Sequence, residues 1–308
     1  MMRGMKHLLL LALVHLLIAG GASAAIKVVS LHPLLGDVAG QVGGDGVEVI
    51  NLMSEKDDPH HFTLRTTDLR KAEGADLFVA SGKGLEGFLP KLKQNLPAGA
   101  KLLVAGDWVP TLKSAEVCNH DHGDDHGHGH DHGHAHEHEV DDPHWWHSIG
   151  HMRRVALRLG SEFAKADPEN AAAYRKNAAN YAKELGELEA WAKLELSKVP
   201  KGQRVLATSH AAFGYFCDAF DFEALPVQGL TADIAPTAQG LRELTEQLRA
   251  KQVGAVFPEA GINPKTLAAL GKAAGIKIGG QLNGDGMANN YKEFFKSNVD
   301  TIVAALVK

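Results

Sequence analysis

Asp58-Pro59-His60 and Asp142-Pro143-His144 repeat one arrangement at two distant points of the chain. In each, proline fixes the backbone beside an imidazole. The carboxylate two residues earlier, Asp58 or Asp142, is placed to accept the ring's second N–H, which selects the tautomer and aims the free nitrogen at a metal. Two unrelated turns that begin Asp-Pro would give the same letters. His210 offers a third imidazole. It follows the apolar run Arg204–Thr208 and opens the helical pattern His210 to Phe216, where a helix N-terminus keeps the ring neutral and ready to coordinate. Asp285, in Leu282-Asn283-Gly284-Asp285-Gly286, follows the run Ile276–Gln281 in the same way. It reads either as a carboxylate ligand or as a turn residue between glycines. Both positions fall at strand carboxyl ends, where open α/β sheets gather their ligands. Glu259 is either an acceptor behind a ligand or an ordinary strand-end carboxylate. Trp145 and Trp146 either wall the site from water or belong to the core.

A second set of imidazoles is concentrated. His120, His122, His126, His128, His130, His132, His134, His136 and His138 supply nine of the eighteen histidines, interleaved with Gly, Asp and Glu. So little apolar surface cannot offset the entropy of ordering the segment, so it builds no core. Imidazole is a borderline-soft donor suited to zinc, copper or nickel, and His-rich tracts handle metal unless they merely solvate a linker. The adjacent carboxylates make the tract anionic and attract cations. Flexible and degenerate, it reads as an accessory collector.

These residues need elements to hold them. Arg3 and Lys6, the apolar run Leu8 to Ile18 and Ala22-Ser23-Ala24 form a secretory signal with an A-x-A cleavage site, residues 1–24. The apolar run is shorter than a membrane span, and no Cys follows it to take a lipid, so a soluble periplasmic protein is expected. Loss of the signal takes the net charge from −5 to −7, an acidic balance without a basic stripe, which argues against nucleic acid. Cys118 and Cys217 form one disulfide or remain free thiols.

Strands are expected at Lys27–Leu31, Val47–Met53, Asp76–Ala80 and Lys101–Ala105, then at Arg204–Thr208, Val253–Pro258 and Ile276–Gln281. Helices alternate with them at Leu34–Val42, Thr66–Ala72 and Gly84–Leu96, then at Ala211–Phe220, Ala238–Lys251, Pro264–Ala274 and Asn289–Val307. Such alternation implies an α/β fold, two lobes each with a mostly parallel sheet flanked by helices. The lobes are expected at 25–160 and 200–308, the first carrying a flexible His-rich loop at 118–141. Region 161–199 links them through a long helix capped by Asp167, with Pro168 in its first turn. Tyr174, Ala178, Tyr181, Leu185, Leu188 and Ala192 give it an apolar stripe, and its length would be roughly 45 Å. It acts as a rigid spacer or is an ordinary surface helix.

The ordered set Asp58-Pro59-His60, the acidic His-rich insertion, Asp142-Pro143-His144-Trp145, Thr208-Ser209-His210-Ala211-Ala212-Phe213-Gly214-Tyr215-Phe216 and Phe257-Pro258-Glu259 resembles the metal-binding solute-binding proteins of bacterial ABC importers. The likeness is to their zinc branch and covers the whole chain after the signal. It implies two α/β lobes joined by a rigid long helix, with Zn²⁺ between them on His60, His144, His210 and Asp285, and no enzymatic activity. In that family a His at the His210 position goes with zinc and a carboxylate with manganese. His147 stands where the family often has a carboxylate or amide. The resemblance also implies an inner-membrane permease with a cytoplasmic ATPase as partners, with a periplasmic zinc chaperone as a further candidate and a monomeric state. Two other readings stay open: a zinc buffer or relay centred on the tract, and a secreted zinc hydrolase using three His and a water. The chain lacks H-E-x-x-H and G-x-S-x-G, which weighs against the hydrolase.

Overall fold

The computed structural model describes residues 25–117, 137–233 and 236–307. The signal segment and His120 to His136 lie outside the described residues, as does Cys118. His138 lies in a strand, and its side chain is not described.

Four short apolar runs, β1 (Ile26–Ser30), β2 (Val47–Asn51), β3 (Leu77–Ala80) and β4 (Lys101–Val104), form a parallel sheet in the order β2-β1-β3-β4. Val28 sits opposite Val49 on one side and Leu77 on the other. β7 (Val205–Thr208), β8 (Glu223–Pro226), β9 (Ala255–Phe257) and β10 (Lys277–Ile278) form a second parallel sheet in the order β10-β9-β7-β8. Each sheet reverses its winding direction once, beside β1 in the first and β7 in the second. A crevice opens at such a point outside the strand carboxyl ends. His32 follows β1 and His210 follows β7, so both crevices contribute to the site described below. Parallel pairing requires crossovers, which α1 (Pro33–Gly43), α2 (Thr66–Lys71), α3 (Leu89–Gln94), α6 (Gly214–Phe220), α7 (Ala238–Ala250) and α8 (Lys265–Ala274) supply.

The long helix, α5 (Ala171–Ser197), buries the predicted stripe from Tyr174 to Ala192. At 27 residues it is about 40 Å long. It turns back on α4 (Ile149–Ala166), which the sequence reading had not assigned. Their backbones approach closely: a Cβ on Gly160 would lie 2.5 Å from that of Ala178. Asp167 does not cap α5. Asn170 occupies that position, and the Asp167 carboxylate closes the turn by accepting from Asn170 and, at 2.8 Å, from the Tyr174 hydroxyl. The C-terminal helix α9 (Tyr291–Leu306) packs on α5 and α1, and the Tyr291 N–H donates to Asp37 of α1 at 2.8 Å. One continuous core therefore runs from β1 and α1 through α4 and α5 to Phe216 and Phe295.

Several boundaries differ for local reasons. α3 is shorter than Gly84–Leu96 because Gly82, Lys83 and Gly84 all take positive φ, and Glu86 folds back to accept from the Ser81 and Gly82 N–H groups. β10 stops before Gly279, where the Phe257 ring leaves no room for a Cβ (2.7 Å). The 118–141 stretch is not loop throughout. Glu137–Asp141 forms β6, paired antiparallel with β5 (Lys113–Val117), and β5, β6 and β8 were all unassigned from sequence. Cys217 is a free, buried thiol. Among the described residues no helix is long and apolar enough to cross a membrane.

Candidate metal centre

The carboxyl ends of the two sheets converge on one cluster: His60, His144, His210 and Asp285 each bring one donor atom to within 4.8 Å of all the others. His60 sits on the loop after β2, His144 after β6, His210 after β7 and Asp285 beyond β10. His60 Nε2 lies 3.2 Å from His144 Nε2 and 3.3 Å from Asp285 Oδ1. The same carboxylate oxygen is 3.6 Å from His144 Nε2 and 3.2 Å from His210 Nε2. A tetrahedral ion bonded at about 2.0–2.2 Å separates its donors by about 1.6 times that length, about 3.3–3.6 Å. Four of the six donor pairs, at 3.2–3.6 Å, are close to that spacing, and all six lie within 4.8 Å. His60, His210 and Asp285 line a cleft of about 530 Å³ together with His61, Asp233 and Met287.

Two of the three rings are aimed by a carboxylate behind them. Asp142 accepts from both the backbone N–H of His144 (2.9 Å) and its Nδ1–H (2.8 Å), which leaves the Nε2 lone pair facing the cluster. Glu259, buried at the end of β9, accepts from the His210 backbone N–H at 2.9 Å and places Oε2 2.9 Å from His210 Nδ1. Asp58 departs from expectation. It accepts from the His60 backbone N–H, but its other oxygen meets His61 Nδ1 at 2.7 Å, and not the His60 ring. The remaining nitrogen of His61 reaches Asp233 at 2.8 Å, so this exposed ring bridges the cleft mouth.

His210 does not open a helix. α6 begins at Gly214, and two carboxylates govern the ring in place of a helix end. Burial opposes charge on His210, but Glu259 and Asp285 outweigh it and push its pKa up to about 10. Burial also opposes charge on His144, and contacts to Asp142 and Asp285 outweigh it, so its pKa is raised. Burial would raise the pKa of Asp285, yet the three imidazoles hold it well below the usual carboxylate range. Neither ring nitrogen of buried His210 has a hydrogen-bond partner of good geometry. Three imidazole nitrogens and a carboxylate oxygen gathered this closely could hold a metal ion.

Residues 28–305 match the family described as zinc-uptake complex component A, periplasmic. The chain belongs to that family. Its members are the extracytoplasmic metal-binding components of ABC metal-uptake systems, working with a permease and an ATPase, and they are not enzymes. Manganese-binding lipoprotein MntA of Bacillus subtilis (strain 168) is 30% identical over 296 residues, covering 92% of this chain and 91% of its own. Zinc-binding protein AdcA of Streptococcus pyogenes serotype M1 is 29% identical over 266 residues, 83% of this chain and 50% of that one. Among solved structures, the periplasmic zinc binding protein TroA from Treponema pallidum shares the fold, with a TM-score of 0.78 at 24% identity over 92% of this chain and 100% of that one.

Three residues hold the backbone of the Asp285 loop, a role that the sequence did not indicate. His32, Trp146 and His147, all buried, point N–H groups at the backbone that carries Asp285. Trp146 also packs against the rings of His32 (4.8 Å) and His144 (5.3 Å), so it is both core and wall of the site. Trp145 donates to the Ser81 carbonyl at 3.2 Å and belongs to the core. No spacing rule would have found these contacts, because their partners are main-chain carbonyls 137 to 253 positions away.

Proposed function

We propose that this protein captures Zn²⁺ outside the cytoplasm at His60, His144, His210 and Asp285 and delivers it to a membrane ABC permease. The observation that carries the reading is the donor set itself. Three imidazole nitrogens and one carboxylate oxygen, all within 4.8 Å and four of their six pairs at 3.2–3.6 Å, suit a tetrahedral d¹⁰ ion. Manganese prefers an octahedral, oxygen-rich shell, and this cluster offers one carboxylate. Similarity to a zinc-binding relative supports the same reading. With a carboxylate in the fourth position the site has no open place for a catalytic water, consistent with cargo binding. The signal segment is cleaved, the protein works as a monomer, and a zinc chaperone loads it in the periplasm. The His-rich tract serves as an accessory metal collector.

A manganese reading has its own support in the similarity to MntA. Titration of metal-free protein with Mn²⁺ alone, beside Zn²⁺–Mn²⁺ competition, separates the two. A manganese site binds Mn²⁺ in a tight one-to-one step, whereas Zn²⁺ outranks Mn²⁺ at most nitrogen and oxygen sites whatever the cargo. The zinc reading expects no such step with Mn²⁺, and one tight Zn²⁺ per chain that a hundredfold excess of Mn²⁺ does not displace. It also expects that ion to be lost in His210→Ala. A tight one-to-one Mn²⁺ step, or displacement by Mn²⁺, would assign the site to manganese, and retained tight zinc binding in His210→Ala would refute the ligand set.

A further inference from the structure

Asp285 is carried by an irregular segment between the last strand and α9. The chain leaves the Leu282 bridge to Glu259, passes Gly284-Asp285-Gly286 and enters α9. Its root is anchored to its own half of the molecule. Asn298 of α9 accepts from the Asn283 N–H and donates to the Asn283 carbonyl, both at 2.9 Å. Its tip is held from the opposite side. The Gly284 carbonyl accepts from His147 Nε2–H at 2.7 Å and Trp146 Nε1–H at 3.1 Å, and the Asp285 carbonyl accepts from His32 Nε2–H at 2.9 Å. A carbonyl only accepts, so both histidines carry the proton on Nε2. The loop threads a narrow gap: a Cβ on Gly284 would sit 2.2 Å from Glu259 Oε2, and one on Gly286, at φ +64°, 2.7 Å from Leu34 Cδ1. The His147 ring is fixed between Phe213 and Phe294, with centroids at 4.4 and 5.5 Å.

We propose that Trp146 and His147 are positioning residues for Asp285: by gripping the Gly284 carbonyl they hold its carboxylate against the three imidazoles and tighten the binding of Zn²⁺. The proposal rests on the ligand reading given above. A loop without this grip would have to be ordered by the metal itself, at a cost in affinity. Outer contacts of this kind are typically worth about 10–100-fold in metal affinity. His32 grips the next carbonyl, but its Nδ1 also accepts from Leu34 N–H at the start of α1, so its replacement would disturb more than the loop.

The test is a Zn²⁺ titration of the full chain, following the tight step, in a double-mutant cycle. Trp146→Phe with His147→Phe keeps the aromatic volume and removes both N–H donors. Its Kd is expected to rise about 10–100-fold. His147→Gln, which retains a donor, recovers most of the affinity lost in His147→Phe. In an Asp285→Ala background the same pair of changes has no further effect, because the residue they act through is gone. An unchanged Kd in the double variant overturns the proposal. So does an equal loss in the Asp285→Ala background, which would mark a general structural defect. Trp146→Phe alone runs the same cycle should the double variant fail to fold. If Asp285→Ala by itself leaves zinc affinity intact, the ligand reading fails and takes this proposal with it. Weakened binding in Asp285→Ala with no effect of the grip variants refutes the grip alone.

Discussion

His210 Nδ1 lies 2.9 Å from Glu259 Oε2 with both side chains almost fully buried, and its other nitrogen faces Asp285 at 3.2 Å. An imidazole between buried Glu259 and partly buried Asp285 holds its proton, and its pKa is pushed up to about 10. A metal needs that ring's free lone pair, so binding must displace the proton. Calorimetry of Zn²⁺ binding at pH 8, in buffers of different ionisation enthalpy, should therefore report about one proton released per ion. Affinity should fall as pH falls. Glu259→Gln, which removes one of the two charges, should reduce the release. Binding at pH 8 with no proton released would contradict this account of His210.

The adjacent histidines at 60 and 61 should separate cleanly. His60 Nε2 faces the cluster, whereas both nitrogens of His61 are engaged by Asp58 and Asp233 at the exposed mouth. His60→Ala should weaken Zn²⁺ binding by at least about 100-fold, the upper end of what outer contacts are worth. His61→Ala should change Kd by less than about threefold and stability by no more than about 1 kcal/mol, as befits exposed ion pairs. Comparable losses in both variants would mean that the cleft-mouth bridge is part of the site.

Metal-free protein should be most stable near neutral pH. Burial lowers the pKa of His147 to about 3 and that of His32 to about 4. In the unfolded chain both rings titrate near pH ~6.5. Below that value the unfolded state takes up protons that the native rings refuse, so stability drops as pH falls from 6.5 toward 3. His210 has the opposite sign. Its native pKa lies above the unfolded one, so its contribution is complete below about 6.5 and is lost as pH rises toward 10. Thermal unfolding between pH 5 and 9 should show a maximum between these limbs, and His147→Phe should flatten the acid limb. An acid limb unchanged in that variant would remove His147 from the explanation.

Deleting residues 119–136, which leaves β5 and β6 whole, should abolish several weak metal sites and spare the tight one. Loss of the tight site would instead favour a buffer centred on the tract.

Much of this was legible in the residues. Alternating apolar runs and amphipathic segments announced two parallel sheets, since period and length report which faces are buried. Asp-Pro-His repeats and the histidine and aspartate after strand ends announced donors, because coordination demands particular atoms on particular side chains. Errors came where local pattern met tertiary constraint. Asp167 was read as a helix cap but serves the α4–α5 turn and Tyr174. Asp58 was read as the partner of the His60 ring but turns to His61. The pattern at His210 suggests a neutral ring at a helix start, whereas Glu259 and Asp285 make it basic.

The sequence by itself determined which side chains could bind metal and that an α/β framework would carry them to strand ends. Only the tertiary structure decided that residues up to 225 positions apart meet within 4.8 Å, and that His32, Trp146 and His147 hold the carboxylate's loop from the far side. Donor chemistry is a property of single residues, and strand and helix patterns repeat every few positions. The distance between two lone pairs, and the carbonyl that an indole or imidazole N–H finds, depend on how the sheets and helices pack against one another.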